Sequence, residues 1–116
     1  MKKKAIIVSI KGIDLTPEEK ILLAKEKPWG LILFRRNIKS YDQIKNLIKN
    51  IRKSAKDKKF PIMIDEEGTK VSRLQNILSH NISASFFGNF YKIDKKIAIN
   101  LYINYLKSLS DKLLDI

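Results

Sequence analysis

Asp65, Glu67 and Arg73, with Arg35 and Arg36 earlier in the chain, are the side chains whose types and spacing best suit chemistry. Asp65 follows the apolar run Phe60 to Ile64, where a buried strand gives way to loop. In a parallel α/β sheet that is where sites are built, although an aspartate there also serves simply to cap the next backbone turn. Asp65 and Glu67 would lie roughly 6.6 Å apart on an extended strand. Paired carboxylates about 5 to 5.5 Å apart serve retaining glycosidases. We do not assign this pair as catalytic, because an acid and a nucleophile must flank one glycosidic bond from different directions, and Gly68 already invites a turn. Arg73 offers a rigid donor fork that suits hydroxyls or a carboxylate, and equally an ordinary surface or ion-paired role. Arg35 and Arg36 follow the apolar run ending at Phe34 and so lie at the same functional edge of the sheet, where one of them is expected to point inward.

Other chemistry finds little support. His80 is the only histidine, and no triad or metal constellation surrounds it. Without cysteine there is no disulfide, zinc-thiolate site or thiol nucleophile, which suits a reducing compartment and makes the cytoplasm the expected location. Four glycines form no phosphate-cradling loop. Trp29, Phe86, Phe87 and Phe90 could stack on a sugar or a base, but such aromatics more often anchor a core.

The net charge of +12 proposes a small basic protein that binds nucleic acid or an anionic membrane. Only four of the 24 basic residues are arginine (Arg35, Arg36, Arg52 and Arg73), and lysines are scattered through every segment. Phosphate and base readers lean on arginine forks and interleaved aromatics, so this alternative is set second. Neither nucleic acid nor membrane is expected as a partner. The basic start before Ala5 to Ile10 imitates a signal peptide, but the apolar stretch is short and Lys11 closes it.

The elements that must position these residues alternate in type. Ala5 to Ile10 reads as a strand. Thr16-Pro17-Glu18-Glu19 is a capping box with proline at the first helical position, opening a helix to about Lys25. Leu31 to Phe34 reads as a strand buried on both faces. Ser40-Tyr41-Asp42-Gln43 caps a helix whose Ile44, Leu47, Ile48, Ile51 and Ala55 share one stripe. Phe60 to Ile64 is the next strand, so parallel pairing through helical crossovers is expected. Residues 69–91 read as a long loop with short helical turns. Asp94 then caps a last helix with Ile97, Leu101, Tyr105 and Leu109 recurring every four residues. The whole is expected to be one α/β domain, and its 116 residues compare with the roughly 250 of a complete (β/α)₈ barrel.

Taken together, Trp29-Gly30-Leu31-Ile32-Leu33-Phe34-Arg35-Arg36-Asn37 and the stretch from Ile62 through Asp65-Glu66-Glu67-Gly68-Thr69-Lys70-Val71-Ser72-Arg73 to Leu74 resemble two motifs of one family. These are the G-x-I-L-F-x-R-N strand and the D-Q-E-G-G-R-V-x-R strand and loop of the bacterial β-N-acetylhexosaminidases of glycoside hydrolase family 3. Asp14 to Glu19 resembles that family's first helix start, and Ala98 to Leu114 the helix before its third barrel strand. Thr69 stands where the family has a second glycine and Lys70 where it has arginine. A proline-containing stretch of the family is missing around residues 79–84.

The resemblance implies the N-terminal portion of a TIM (β/α)₈ barrel, incomplete, spanning residues 1–116. It implies removal of terminal N-acetylglucosamine from muropeptides during peptidoglycan recycling in the cytoplasm, by a retaining mechanism without metal or cofactor. Asp65 and Arg73 take the places of the residues that bind the sugar ring in the −1 subsite. The family's nucleophilic aspartate and its histidine-aspartate acid/base loop correspond to positions beyond Ile116. No residue here is therefore assigned as catalytic, and the chain alone is expected to be inactive, since retaining hydrolysis needs a covalent partner.

Overall fold

The computed structural model describes residues 2–78 and 82–116. Among these, residues 2–66 with 72–78 form one compact unit and residues 67–71 with 82–116 another.

The first unit is built on a three-stranded parallel sheet: β1 (Lys4–Val8), β2 (Pro28–Leu33) and β3 (Ile62–Ile64), in that spatial order. Helix α1 (Pro17–Glu26) joins the first two strands and α2 (Tyr41–Ala55) the last two. The apolar stretch that follows the basic start thus lies in a strand paired to β2. β1 and β3 are shorter than their apolar runs suggest. Ile10 and Phe60 still reach the core, at 3% and 2% exposed, but outside the ladder.

Local chemistry sets the helix ends. The Thr16 hydroxyl accepts from the Glu19 N–H at 3.2 Å, and the Glu19 carboxylate accepts from the Thr16 N–H at 2.8 Å, the reciprocal pattern expected. The second cap is only half of such a box. Ser40 accepts from the Gln43 N–H, while the Gln43 amide oxygen accepts from the Lys39 N–H, one residue earlier. α1 stops at Lys27 in the left-handed region (φ 48°), and buried Pro28 then opens β2 as a strand's first residue, where its missing N–H costs least.

The stripe of α2 is as spaced in the sequence, with Ile44, Leu47 and Ile51 fully buried; Leu23 of α1 and Leu31 and Leu33 of β2 are buried as well. Each such side chain contributes about 1.5–3 kcal/mol on leaving water. β2 is less enclosed than a run without alternation implies, because Ile32 on the opposite face is half-buried.

The second unit departs from the sequence expectation. Where a long loop with short turns is read, Ala84–Ile93 is a regular helix, α3. The Ser83 hydroxyl caps it by accepting from the Phe86 N–H, and Phe86 stacks on Phe90 one turn on, at 6.2 Å and 6° between rings. A cap and an i,i+4 aromatic pair offset the roughly 1 kcal/mol that Gly88 costs inside a helix, so the turn formers Gly88 and Asn89 do not break it. Asp94 then ends α3 and caps α4 (Lys95–Leu114), accepting from the Ile97 N–H at 2.9 Å. Phe87 packs its ring on Tyr102 and Tyr105 of α4, at 5.0 and 5.3 Å. Of the α4 stripe, Tyr105 and Leu109 are half-buried, whereas Ile97 and Leu101 are exposed; outside it, Ala98 is buried and Leu113 half-buried.

Candidate functional site

Parallel pairing brings the carboxyl ends of the strands to one edge. Leu33 stands opposite Ile64, so the next residues, Phe34 and Asp65, emerge side by side, and the chain after β1 arrives at the same edge with Ser9 and Ile10. Strand-end backbone groups have no further ladder partner there, and side chains must supply one.

Arg73 is folded back onto this edge. Its Nε donates to Asp65 Oδ1 at 2.8 Å and its terminal nitrogen to Oδ2 at 2.7 Å, a two-pronged fork on one carboxylate. The guanidinium also lies over the Phe34 ring, 5.7 Å from its centre. Both partners keep about a third of their side-chain surface in water, 28% for Arg73 and 35% for Asp65. The fork holds the Asp65 carboxyl below the usual carboxylate range, partly opposed by its burial. Chemically the pair sets an ionised acceptor beside a planar donor.

Glu66 is the less expected member. One oxygen of its carboxylate accepts from two consecutive backbone N–H groups, Arg73 at 2.8 Å and Leu74 at 3.0 Å. Leu74 is buried beneath, and the Asn76 side chain donates to the Ile38 carbonyl at 2.7 Å, tying the returning segment to the loop after β2.

That loop is a single 3₁₀ turn, Arg35–Asn37. Asn37 is fully buried and uses its whole amide. Its oxygen accepts from the Phe34 N–H at 2.8 Å, and its nitrogen donates to the Ile10 and Gly12 carbonyls at 3.1 and 2.7 Å. Of the two arginines, Arg36 turns to the sheet edge, donating to the Ile10 carbonyl and the Ser9 hydroxyl with its guanidinium 4.7 Å over Phe34. Phe34 is therefore approached by two guanidinium groups, Arg36 and Arg73.

The structure thus brings Asp65 and Arg73 together and adds Phe34, Asn37 and Glu66, to which the sequence analysis gave no role. A strand-ending motif with an asparagine four residues past the last ladder position, and a carboxylate next to Asp65, were the available signals. Glu67 lies past the acidic strand end, just before Gly68, whose φ of 104° confirms a turn there. Trp29 lies at the opposite end of β2 and does not join the site, and Phe86, Phe87 and Phe90 are helix-packing residues. His80 lies outside the described residues. Among the described residues no group of three or more His, Cys, Asp or Glu side chains could hold a metal ion, and no helix is long and apolar enough to cross a membrane.

Comparison with known proteins agrees on one group. No protein-family model matches the chain. A beta-hexosaminidase of Idiomarina loihiensis is 36% identical over 91 residues, which is 78% of this chain and 26% of the relative. Among solved structures, NagZ from Neisseria gonorrhoeae in complex with N-trifluoroacetyl-D-glucosamine superposes with a TM-score of 0.67 at 28% identity, covering 79% of this chain and 27% of that one. A glycoside hydrolase family 3 beta-N-acetylglucosaminidase from a Paenibacillus strain gives 0.55 at 27% identity, over 60% and 14% respectively. The chain spans about a quarter of the length of the first two of these proteins.

Proposed function

We propose that this chain, a homologue of the glycoside hydrolase family 3 β-N-acetylhexosaminidases over a fragment of their length, supplies part of a sugar-binding site for terminal, β-linked N-acetylglucosamine. On this reading residues 1–116 are a partial N-terminal domain of the family, and the three parallel strands are the opening portion of its TIM (β/α)₈ barrel. The observation that carries it is the Asp65–Arg73 fork at the carboxyl edge of the sheet. In a parallel α/β architecture that edge is where ligands are bound.

Asp65 would accept hydrogen bonds from ring hydroxyls, and Arg73 would hold that carboxylate ionised and fixed in orientation. The neighbouring Phe34 ring supports the Arg73 guanidinium from one side. These residues bind and orient. Cleavage needs a nucleophile and an acid/base, which the resemblance assigns to positions C-terminal of the aligned residues. Muropeptides as the carbohydrate substrate, a role in peptidoglycan recycling and a cytoplasmic setting complete the proposal.

Titration of the isotopically labelled 116-residue chain with N-acetylglucosamine tests it. The Asp65 carboxyl and Arg73 Nε resonances are expected to move, and Asp65→Ala or Arg73→Ala to abolish the response. A p-nitrophenyl β-N-acetylglucosaminide is expected to bind without release of p-nitrophenol. Sugar that leaves both side chains unmoved, or binding that survives both alanine variants, would sink the assignment.

A further inference from the structure

Arg73 meets Asp65 only if the chain, having left β3, comes back to it at one defined place. An ion pair about a third open to water does little to enforce that, since solvent screens it and its formation costs side-chain entropy. The neighbouring carboxylate has better geometry for the task. Glu66 directly follows Asp65, and its Oε2 accepts from both the Arg73 and the Leu74 N–H. Consecutive N–H groups converging on one anion make charge-assisted bonds that fix backbone rather than a flexible side-chain tip. Leu74 and Ser72, on either side of Arg73, are 2% and 5% exposed, so the backbone held by Glu66 is also anchored in the core.

We propose that Glu66 is a positioning residue: by clamping the backbone at Arg73 and Leu74 it sets the Arg73 guanidinium opposite Asp65 before any ligand arrives. Side-chain freedom is then removed in two stages. The clamp fixes where Arg73 begins, and the Asp65 fork with the Phe34 face fixes where it ends. Preorganisation of this kind raises ligand affinity by lowering the ordering cost on binding. Its relevance to sugar binding rests on the function proposed above, whereas the fixing of Arg73 does not.

Because both bonds end on a single oxygen, an amide in place of the carboxylate keeps the acceptor. Glu66→Gln is therefore expected to rescue what Glu66→Ala destroys. The measurement is solvent exchange of the Arg73 Nε–H in the labelled full chain, with the amides of Leu31 and Leu33 as an internal reference for the fold. Glu66→Ala should speed the Arg73 exchange by about tenfold or more, in line with the loss of hydrogen bonds to a charged group. Glu66→Gln should stay within about threefold of the parent on the same scale, and the Leu31 and Leu33 amides should keep their protection in both variants. Unchanged Arg73 exchange in Glu66→Ala overturns the proposal. So does Glu66→Gln exchanging as fast as Glu66→Ala, or loss of Leu31 and Leu33 protection in both variants, which would make Glu66 a folding residue only. If the exchange pattern appears as expected but N-acetylglucosamine perturbs no variant and not the parent, the clamp stands and the sugar-binding reading falls.

Discussion

Replacing Asn37 by alanine removes three hydrogen bonds from a side chain with no exposed surface. The loss is uneven. The Ile10 carbonyl keeps the Arg36 Nε as a second donor at 3.2 Å, but the Phe34 N–H and the Gly12 carbonyl lose the Asn37 partner. A buried group left unsatisfied costs about 1–3 kcal/mol, and Gly12 is only half-buried, so water can answer part of its need. Two such groups, with the small void left by the amide, put the total at about 2–4 kcal/mol. That is a large share of the roughly 5–15 kcal/mol by which domains are stable. The single tryptophan, Trp29, lies on β2 of the same unit, so its fluorescence during urea unfolding follows the affected structure. With a urea slope of about 1–1.5 kcal/mol/M for so small a unit, the midpoint should fall by about 1.3–4 M. Asn37→Asp sharpens the test. The acid keeps the acceptor for Phe34 but, when ionised, turns an anion toward the Ile10 and Gly12 carbonyls. Burial and those carbonyls raise its folded-state pKa, so the variant should gain stability as pH falls through the carboxylate range and the carboxyl becomes a donor. A midpoint shift below about 0.5 M for Asn37→Ala, where the slope predicts several times more, would refute the view that this amide holds the strand ends together.

Other perturbations bear on the same edge. Asp65→Asn should destabilise the chain near neutral pH. Because the Arg73 fork lowers the folded-state pKa of Asp65, the stability it contributes is present above the ordinary value of about 3.9 and is lost as pH falls through the lower folded value. The gap between parent and variant, followed by urea unfolding at successive pH values, should therefore close toward acid, and a gap that widens there would contradict the ion pair. Ser72→Ala removes a buried hydroxyl that has no partner among the described residues. It should leave stability unchanged or raise it by up to about 1 kcal/mol, and a clear loss of stability in the same unfolding assay would count against that account. Gly30→Ala would set a Cβ 2.9 Å from the Met63 side-chain terminus and 3.0 Å from the Pro61 carbonyl oxygen. That carbonyl is held by the Leu31 N–H at 3.0 Å and cannot retreat freely, so thermal unfolding should show a loss of about 1–3 kcal/mol, only partly relieved by adding Met63→Ala.

Much of this was legible in the sequence where the signal is local. The Thr16–Glu19 box, the Ile44, Leu47 and Ile51 stripe and the Asp94 cap each depend on residues within a turn or two of one another, and each appears as spaced. The alternation of apolar runs with capped helices likewise forecast the parallel sheet that puts Asp65 at its carboxyl edge. Helix α3 is hard to read from sequence because Gly88 and Asn89 favour turns, and what outweighs them is the Ser83 cap together with the Phe86–Phe90 stack. Asn37 was missed for a different reason. In an Arg-Arg-Asn run it resembles turn decoration, and its value arises from carbonyls 25 and 27 positions away in the chain.

The residues missed at the site share a physical cause, and it explains why they matter. A short parallel strand ends with backbone groups that the ladder no longer satisfies, and a buried orphan costs more than a made bond contributes. At this edge loop side chains meet that need across the strands: Asn37, after β2, serves Phe34 beside it and the chain after β1, and Arg36 joins it on Ile10. Glu66, after β3, extends the scheme by gathering N–H groups from its own returning loop, and Arg73 then answers the Asp65 carboxylate. Strand spacing alone fixes where Phe34 and Asp65 begin. The orientation of what they carry follows from this exchange of donors and acceptors, so a substitution in one loop should be felt at the others, more strongly than its distance from Asp65 would suggest.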